Sequence, residues 1–344
     1  MRILFNIGHP AQVHFFKNAI WDLQKRGHIC KITTSDKDVA IQLLKAYKFE
    51  YEIIGKSPST LLEKAIEMVK KDWKLLRIAH RFKPDVLVGG VGNLYVAHVG
   101  KIIGKPSIVF DDTEHSKFEH MLMDPFVTRI CTPEAYTLNL GRKQVRYSGF
   151  KELAYLHAKY FKPRTDVLKE LGLNNPDEKF VIIRLVSWNA AHDVGINEVD
   201  VKSFKELVEI IVNKVKVIIT AESHMGAEFE MYKMKLAPEN LHDLLYFATM
   251  YIGEGATMAT EAALLGTPSI YVNPLNTGTL DELSKANLIT HCESWRDALS
   301  VVKNNVAFIQ KGERQTALTD FDVTSFIVNQ IDDIFCATPH GTVM

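Results

Sequence analysis

The chain has 344 residues, enough for about two domains at roughly 150 residues each. Hydrophobic residues make up 47%, ample for ordinary cores. With 41 basic and 41 acidic residues, no bulk field recruits nucleic acid or anionic lipid. Cys30, Cys131, Cys292 and Cys336 are far apart and form no CxxC pair, which fits a reducing compartment and argues against a structural zinc site.

The first stretch, "MRILFNIG", turns polar too quickly for a signal peptide. No apolar run approaches the roughly 18 residues of a membrane helix. The expectation is a soluble, cytoplasmic protein, with contact at a membrane surface left open. "RILFNI" leads into a helix over Gln12–Arg26, with Val13, Phe16, Ile20 and Leu23 at helical spacing. "ICKITTS" precedes a helix near Lys37–Tyr47, and Leu61–Phe82 reads as a long amphipathic helix. Its "KKDWK" segment, Lys70–Lys74, reads as a solvated face. "PDVLVGG" and "PSIVFDD" are continuous apolar runs of the kind found in parallel strands buried on both faces. This βαβ rhythm predicts a doubly wound parallel sheet.

The rhythm restarts after "FKPRTDVLKELGL", a linker beginning at Phe161. Strands are expected in Phe180–Trp188, Val215–Ser223, "LLYFATMYIG" and "PSIYV", with a helix turn before "MYIG". Between the last two strands "MATEAALL" is a short helix. Gly266 can take a left-handed stop after it, and Pro268 forbids continuation. A final amphipathic helix covers about Asp322–Phe335. The reading is therefore α/β: an N-terminal Rossmann-like domain over 1–160, a C-terminal one over 161–320, and a helix in 321–344 that packs back on the first. Two such domains are expected to face each other across a cleft, with ligands outside the carboxyl ends of the strands.

Polar and glycine residues gather at those ends. Gly253, Gly255, Ala256 and Thr257 form a small-residue turn into a helix, where free N–H groups favour an anion such as a diphosphate. Glu261 stands four residues beyond Thr257, on the same helix face, and can accept two ribose hydroxyls. The plain alternative is a tight turn with a carboxylate near a helix start. Arg184 lies in an apolar strand, suited to a diphosphate or to an ion pair with Glu222. Ser187 and Trp188 can hold phosphate and base. For His192 and Asp193, a structural pair and a catalytic role stay equally open.

In the first half, Gly8 and His9 end a strand and are candidates to contact the nucleotide sugar. His14 suits a general base or a phosphate ligand, or simple packing beside Phe15 and Phe16. Asp112, Glu114 and His115, beside Asp111, suit acid–base chemistry on sugars, because carboxylate repulsion can hold one proton. An Asx turn with a helix cap, and less so an acidic metal site, are the alternatives. Gly89, Gly90 and Gly92 are expected to allow close approach of strand and helix.

The segment "GATMATEAALLGTPSIYV" resembles the nucleotide-sugar motif of GT-B glycosyltransferases, especially the N-acetylglucosaminyltransferase of the lipid-linked peptidoglycan precursor. There a small-residue turn and a later glutamate bind the uridine diphosphate half of the donor. UDP-N-acetylglucosamine 2-epimerases are related but typically carry Ser-Gly-Gly and a doubled glutamate. The first helix, ending in Arg26-Gly27-His28, is similar to that of GT-B proteins, although the usual "GGxGGHxxP" is absent. The motifs "HPAQVHFFK", "SWNAAHDVG" and "GATMATEAALLGTP" together look like an uncharacterised, largely archaeal prokaryotic family. The resemblance implies a GT-B fold and a UDP-type nucleotide sugar. It also implies no cofactor or metal, and an unidentified acceptor that is lipid-linked or a small sugar. A glycosyltransferase is the first expectation, a non-hydrolysing sugar-nucleotide epimerase the second, and a non-catalytic sugar-nucleotide binder the third.

Overall fold

The computed structural model describes residues 1–56, 61–90, 92, 94–170, 172–173, 175, 177–186, 198–221, 226–233, 236–304 and 320–337. Contacts divide the chain into two compact units, Met1–Tyr160 with Phe321–Met344, and Phe161–Asp320.

Unit 1 begins β1 (Arg2–Ile7), α1 (Pro10–Lys25), β2 (Ile29–Asp36), α2 (Asp38–Ala46), β3 (Tyr51–Lys56) and α3 (Leu61–Phe82). It continues β4 (Val86–Gly90), α4 (Tyr95–Ile103), β5 (Ser107–Phe110), α5 (Lys117–Met123), β6 (Arg129–Pro133), β7 (Gln144–Tyr147) and α6 (Leu153–Leu156). The strands form a parallel sheet in the order β3-β2-β1-β4-β5-β6-β7. Unit 2 holds α7 (Asp166–Glu170), β8 (Phe180–Leu185), α8 (Glu198–Val212), β9 (Lys216–Ala221), α9 (Leu241–Phe247) and β10 (Met250–Gly253). It ends with α10 (Ala256–Leu264), β11 (Ser269–Val272), α11 (Gly278–Lys285), β12 (Ile289–Cys292) and α12 (Trp295–Asn304). Its parallel sheet runs β12-β11-β10-β8-β9. A last helix, α13 (Val323–Ala337), belongs to unit 1 and packs on α1 and α6. Thr324 donates to the Ala154 carbonyl at 2.7 Å and Arg129 to Gln330 Oε1 at 2.8 Å, which fixes it there.

The central strands are fully buried, as their apolar runs require. Val86–Gly90 and Met250–Gly253 are buried at every position. Unit 1 closes Leu4, Leu87, Val109 and Ile130 under α3 and α4. Unit 2 closes Ile183, Ile219 and Ile252 under Phe204 and Trp295, whose rings stand 4.8 Å apart.

Each sheet has one place where the strand order reverses. In unit 1 the chain adds β2 and β3 on one side of β1, then places β4 on the other. In unit 2 it adds β9 on one side of β8, then β10 on the other. The connections on the two sides leave opposite faces, so a crevice opens at the carboxyl end of the strand pair.

Three expectations change. The strands β3, β6, β7 and β12 escape a reading based on apolar runs, because they are short and partly polar, and three of them are edges. The strand expected to reach Trp188 ends at Leu185 among the described residues. Lys71 does not belong to a solvated face: only 7% exposed, it lays its stem over Gly55 with its ammonium 5.6 Å from the Tyr95 ring centre. Burial lowers its pKa, and Glu67 opposes that.

Candidate active site

In unit 2 the switch point lies between Arg184 of β8 and Gly253 of β10, which are register partners. A side chain at Gly253 would put its Cβ 2.7 Å from both the Cβ and carbonyl oxygen of Arg184, and 2.7 Å from the Tyr251 hydroxyl. The glycine is there so that two strands can meet. The sequence reading gives it a different reason, room for a diphosphate. Gly255, by contrast, is partly exposed and has only ordinary contacts around its missing side chain.

Glu254 makes the turn rigid. Its carboxylate accepts the Val186 N–H at 2.7 Å and the Trp295 indole N–H at 3.0 Å, and its own N–H donates to the Arg184 carbonyl at 3.0 Å. Asn273, at the end of β11, reaches its carbonyl at 3.4 Å. The turn is thereby pinned to β8, α12 and β11. From it α10 starts at Ala256, with Gly255 in the cap position, no side chain capping it and no acidic residue in its first turn. Its first N–H groups therefore have no partner from a capping side chain. Gly255, Ala256 and Thr257 are half-buried, as is Arg184. At its far end α10 stops as expected: Gly266 has φ 79° and its N–H bonds the Ala263 carbonyl.

Glu261 is not on an open side. It is 3% exposed, and its Oε1 lies 3.0 Å from His242 Nε2, itself buried, on α9. Thr267 and Ser269 bond the carbonyls of Leu245 and Ala259, drawing α9, α10 and β11 together around the pair. The sequence spacing from Thr257 was right; the neighbouring helix, which turns that face inward, was not legible. Ser187, Trp188, His192, Asp193 and Glu222 lie outside the described residues.

In unit 1 the switch point lies between β1 and β4. Gln12 Oε1 accepts the Gly8 N–H at 2.8 Å, and the same side chain fills the space at Gly90, where a Cβ would meet its Nε2 at 2.3 Å. Strand and helix do approach closely through this glycine. His9 caps α1: its Nδ1 accepts the Ala11 N–H at 3.2 Å. That bond requires a neutral ring. Desolvation, then the Lys37 and Lys151 charges, lower its pKa to about 4, with Asp112 opposing, although the residue keeps exposed surface. The Nδ1 bond is the firmer ground for a neutral ring. Lys151, from the segment after β7, is in turn ion-paired with Asp112, from the segment after β5.

The other candidates separate. His14 is buried, its Nδ1 3.1 Å from the Tyr47 hydroxyl and its ring against Tyr155. Of the alternatives for His14, a buried, packed imidazole favours the packing role over a general base. Glu114 is buried and accepts from the Thr137 N–H at 3.2 Å and hydroxyl at 3.4 Å. His115 is exposed. Of the three candidates after β5, Asp112 acts electrostatically on His9. Asp111 instead turns inward. It takes hydrogen bonds from Tyr136 at 2.9 Å and His120 at 2.6 Å, and Asp124 flanks His120 on its other nitrogen at 2.9 Å. The bond to Asp111, helped by Asp124 and opposed by burial, raises His120 to about 9. Burial also raises Asp111, but the proton sits on His120, which has carboxylates on both sides.

A family model described as "Protein of unknown function (DUF354)" matches residues 1–335. The chain belongs to this family. An uncharacterised protein of Methanocaldococcus jannaschii is 23% identical over 340 residues, covering 96% of this chain and 97% of that protein. Among solved structures, the UDP-GlcNAc 2-epimerase of Neisseria meningitidis, bound to UDP-GlcNAc, aligns with TM-score 0.68 at 12% identity, over 97% of this chain and 100% of that one. The M. jannaschii UDP-GlcNAc 2-epimerase, in complex with UDP-GlcNAc and UDP, gives 0.69 at 13%, with coverage of 97% and 100%. Spinosyn rhamnosyltransferase SpnG, complexed with thymidine diphosphate, gives 0.57 at 16%, with coverage of 99% and 97%. At these identities the likeness shows the fold: this DUF354 chain has two Rossmann-like α/β units of the GT-B type. Among its described residues no helix is long and apolar enough to cross a membrane.

Sequence reasoning missed Glu254, His242, Lys151 and His120. Glu254 had a signal, an acid between two glycines. Lys151 followed a strand that was itself not foreseen. His242 and His120 have no spacing signal, because they meet their carboxylates only through helix packing.

Proposed function

We propose that the protein is an enzyme that binds a nucleotide-diphosphate sugar, UDP-type favoured, and transfers the sugar to an acceptor hydroxyl. The observation that carries this is the uncapped start of α10 beside Arg184 at the unit 2 switch point. Partial positive charge on the first N–H groups suits a diphosphate. A guanidinium beside them supplies charge-assisted bonds to the leaving group as the glycosidic bond breaks. Ser187, Trp188 and Glu222 follow the two neighbouring strands in sequence and remain proposed ligands. Glu261, held by His242, supports the helix in this reading, and reaches a ribose only by exchanging that partner for sugar hydroxyls.

The acceptor side falls to unit 1. Asp112, oriented by Lys151, takes the proton of the attacking hydroxyl. The neutral His9 ring, with Nδ1 used as acceptor, presents Nε2–H as a donor to the acceptor molecule.

A second reading, epimerisation of the donor, is favoured by the TM-scores of 0.68 and 0.69 to the epimerases against 0.57 to the transferase. Against it, Glu114 is buried and engaged with Thr137. Incubation of the full chain with a panel of nucleotide sugars, with and without lipid-phosphate and simple sugar acceptors, separates these readings. Release of nucleoside diphosphate that depends on acceptor supports transfer. Conversion of the donor alone supports epimerisation. Thermal stabilisation without turnover would leave a binding protein.

A further inference from the structure

The layer formed by α3, α4 and α5 has an outer face that stays exposed among the described residues. The inner face of α3, with Leu75, Ile78, Ala79 and Phe82, is in the core. Its outer face carries Ile66, Val69 and Trp73 at helical spacing, all exposed, Trp73 to 62%. Exposed Lys70, Lys74 and Arg77 alternate with them. On α5 and the turn after it, Phe118, Met121 and Phe126 are also exposed, Phe118 to 65%. His98 of α4 ties the two groups together. It bridges Asp72, beside Trp73, at 2.9 Å and the Leu122 carbonyl, beside Met121, at 3.0 Å, and its ring meets Phe126 at 5.2 Å.

Apolar side chains gathered in this way on one layer mark an interaction surface. The charge says which kind. The whole chain has a net charge of zero, yet this layer and the turn after α4 add exposed Lys101, Lys105 and Lys117 to the exposed Lys70, Lys74, Arg77 and Arg81 of α3. On the same three helices, Glu63 is exposed and Glu67, Asp72 and Glu119 are half-buried; Glu67 pairs with Lys70 at 3.0 Å and Asp72 with His98 at 2.9 Å, so the outward excess stays basic. In a two-fold pairing of copies the same patch faces itself, so these cations would oppose one another. Val69, Trp73, Phe118 and Met121 are each more than 60% exposed, so they stand out of the surface. We propose that this layer docks the protein on an anionic lipid bilayer. α3 lies parallel to the membrane plane, Ile66, Val69 and Trp73 enter the headgroup–acyl boundary, and Lys70, Lys74 and Arg77 meet lipid phosphates.

The test is co-sedimentation of the full chain with phosphatidylcholine vesicles and with the same vesicles doped with phosphatidylglycerol. It is read without nucleotide, so its outcome is separate from that of the unit 2 site. The protein is expected to pellet with the doped vesicles and to be released by high salt. Trp73→Ser and the double variant Lys70→Glu/Lys74→Glu are each expected to weaken binding about tenfold or more, with unchanged melting temperature because the side chains are exposed. Wild type left in the supernatant, equal binding to both vesicle types, or variants that bind as wild type would overturn the proposal. A dimer that Trp73→Ser dissolves, without vesicle binding, would assign the face to a second copy instead.

Discussion

Glu261→Ala is expected to destabilise the protein by about 3 kcal/mol, on the order of 10 °C in the melting temperature of unit 2. The carboxylate is 3% exposed and His242 is its buried partner at 3.0 Å. Removing it leaves a buried imidazole without that bond, and a cavity between α9 and α10. Glu261→Gln keeps an acceptor at the same place and should cost less, about 1 kcal/mol. His242→Ala should cost as much as Glu261→Ala, and the double variant less than the sum, because the second substitution removes the group left unpaired by the first. Urea unfolding of the four proteins decides this. Additive losses would mean that the two side chains do not act as a pair. A Glu261→Ala protein as stable as wild type would place the carboxylate in solvent.

Gly253→Ala should act on both stability and ligand binding. The new methyl meets Arg184 Cβ and backbone oxygen and the Tyr251 hydroxyl at 2.7 Å, closer than real Cβ contacts come. The Arg184 Cβ and carbonyl oxygen are fixed to the backbone, so β8 and β10 must separate at the pair that carries Arg184. Overpacking of this kind costs about 1–3 kcal/mol. It also displaces the guanidinium from the α10 start, so nucleoside diphosphate affinity should fall at least about tenfold. A melting curve and a binding titration on the same preparation check both parts. An alanine variant that melts and binds as wild type would show that the strands have slack at this point.

The parts of the fold that rest on long apolar runs were legible. Buried parallel strands such as Val86–Gly90, the periodic helix that follows Gly8, and the left-handed stop at Gly266 each have a local cause in the sequence. Edge strands such as β7 and β12 were not, because their stability comes from one neighbour and their composition is mixed. At the candidate site the turn from β10 to α10 was found from small residues and a following apolar helix. The packing reason was not legible: Gly253 lets β8 and β10 meet, and Gly255 takes the cap position of α10. Carboxylates were harder. Asp111, Asp112 and Glu114 are adjacent in sequence and diverge in space to His120, Lys151 and Thr137. Which one faces outward depends on α5 and on the segment after β7, and no local pattern encodes that. Lys71 shows the same limit, since a lysine amid charged residues is buried when a glycine strand and a tyrosine ring make room for its stem.

The central claim is that unit 2 holds a diphosphate between the start of α10 and Arg184. Calorimetric titration of wild type and Arg184→Ala with uridine diphosphate and with uridine tests it most directly. Wild type should bind the diphosphate well above the nucleoside. Arg184→Ala should weaken the diphosphate about ten- to a hundredfold, on the scale where 1.4 kcal/mol is tenfold, and leave uridine nearly unchanged. A wild-type protein that binds neither ligand, or equal losses for both ligands in the variant, would contradict the account and make Arg184 a structural residue of β8.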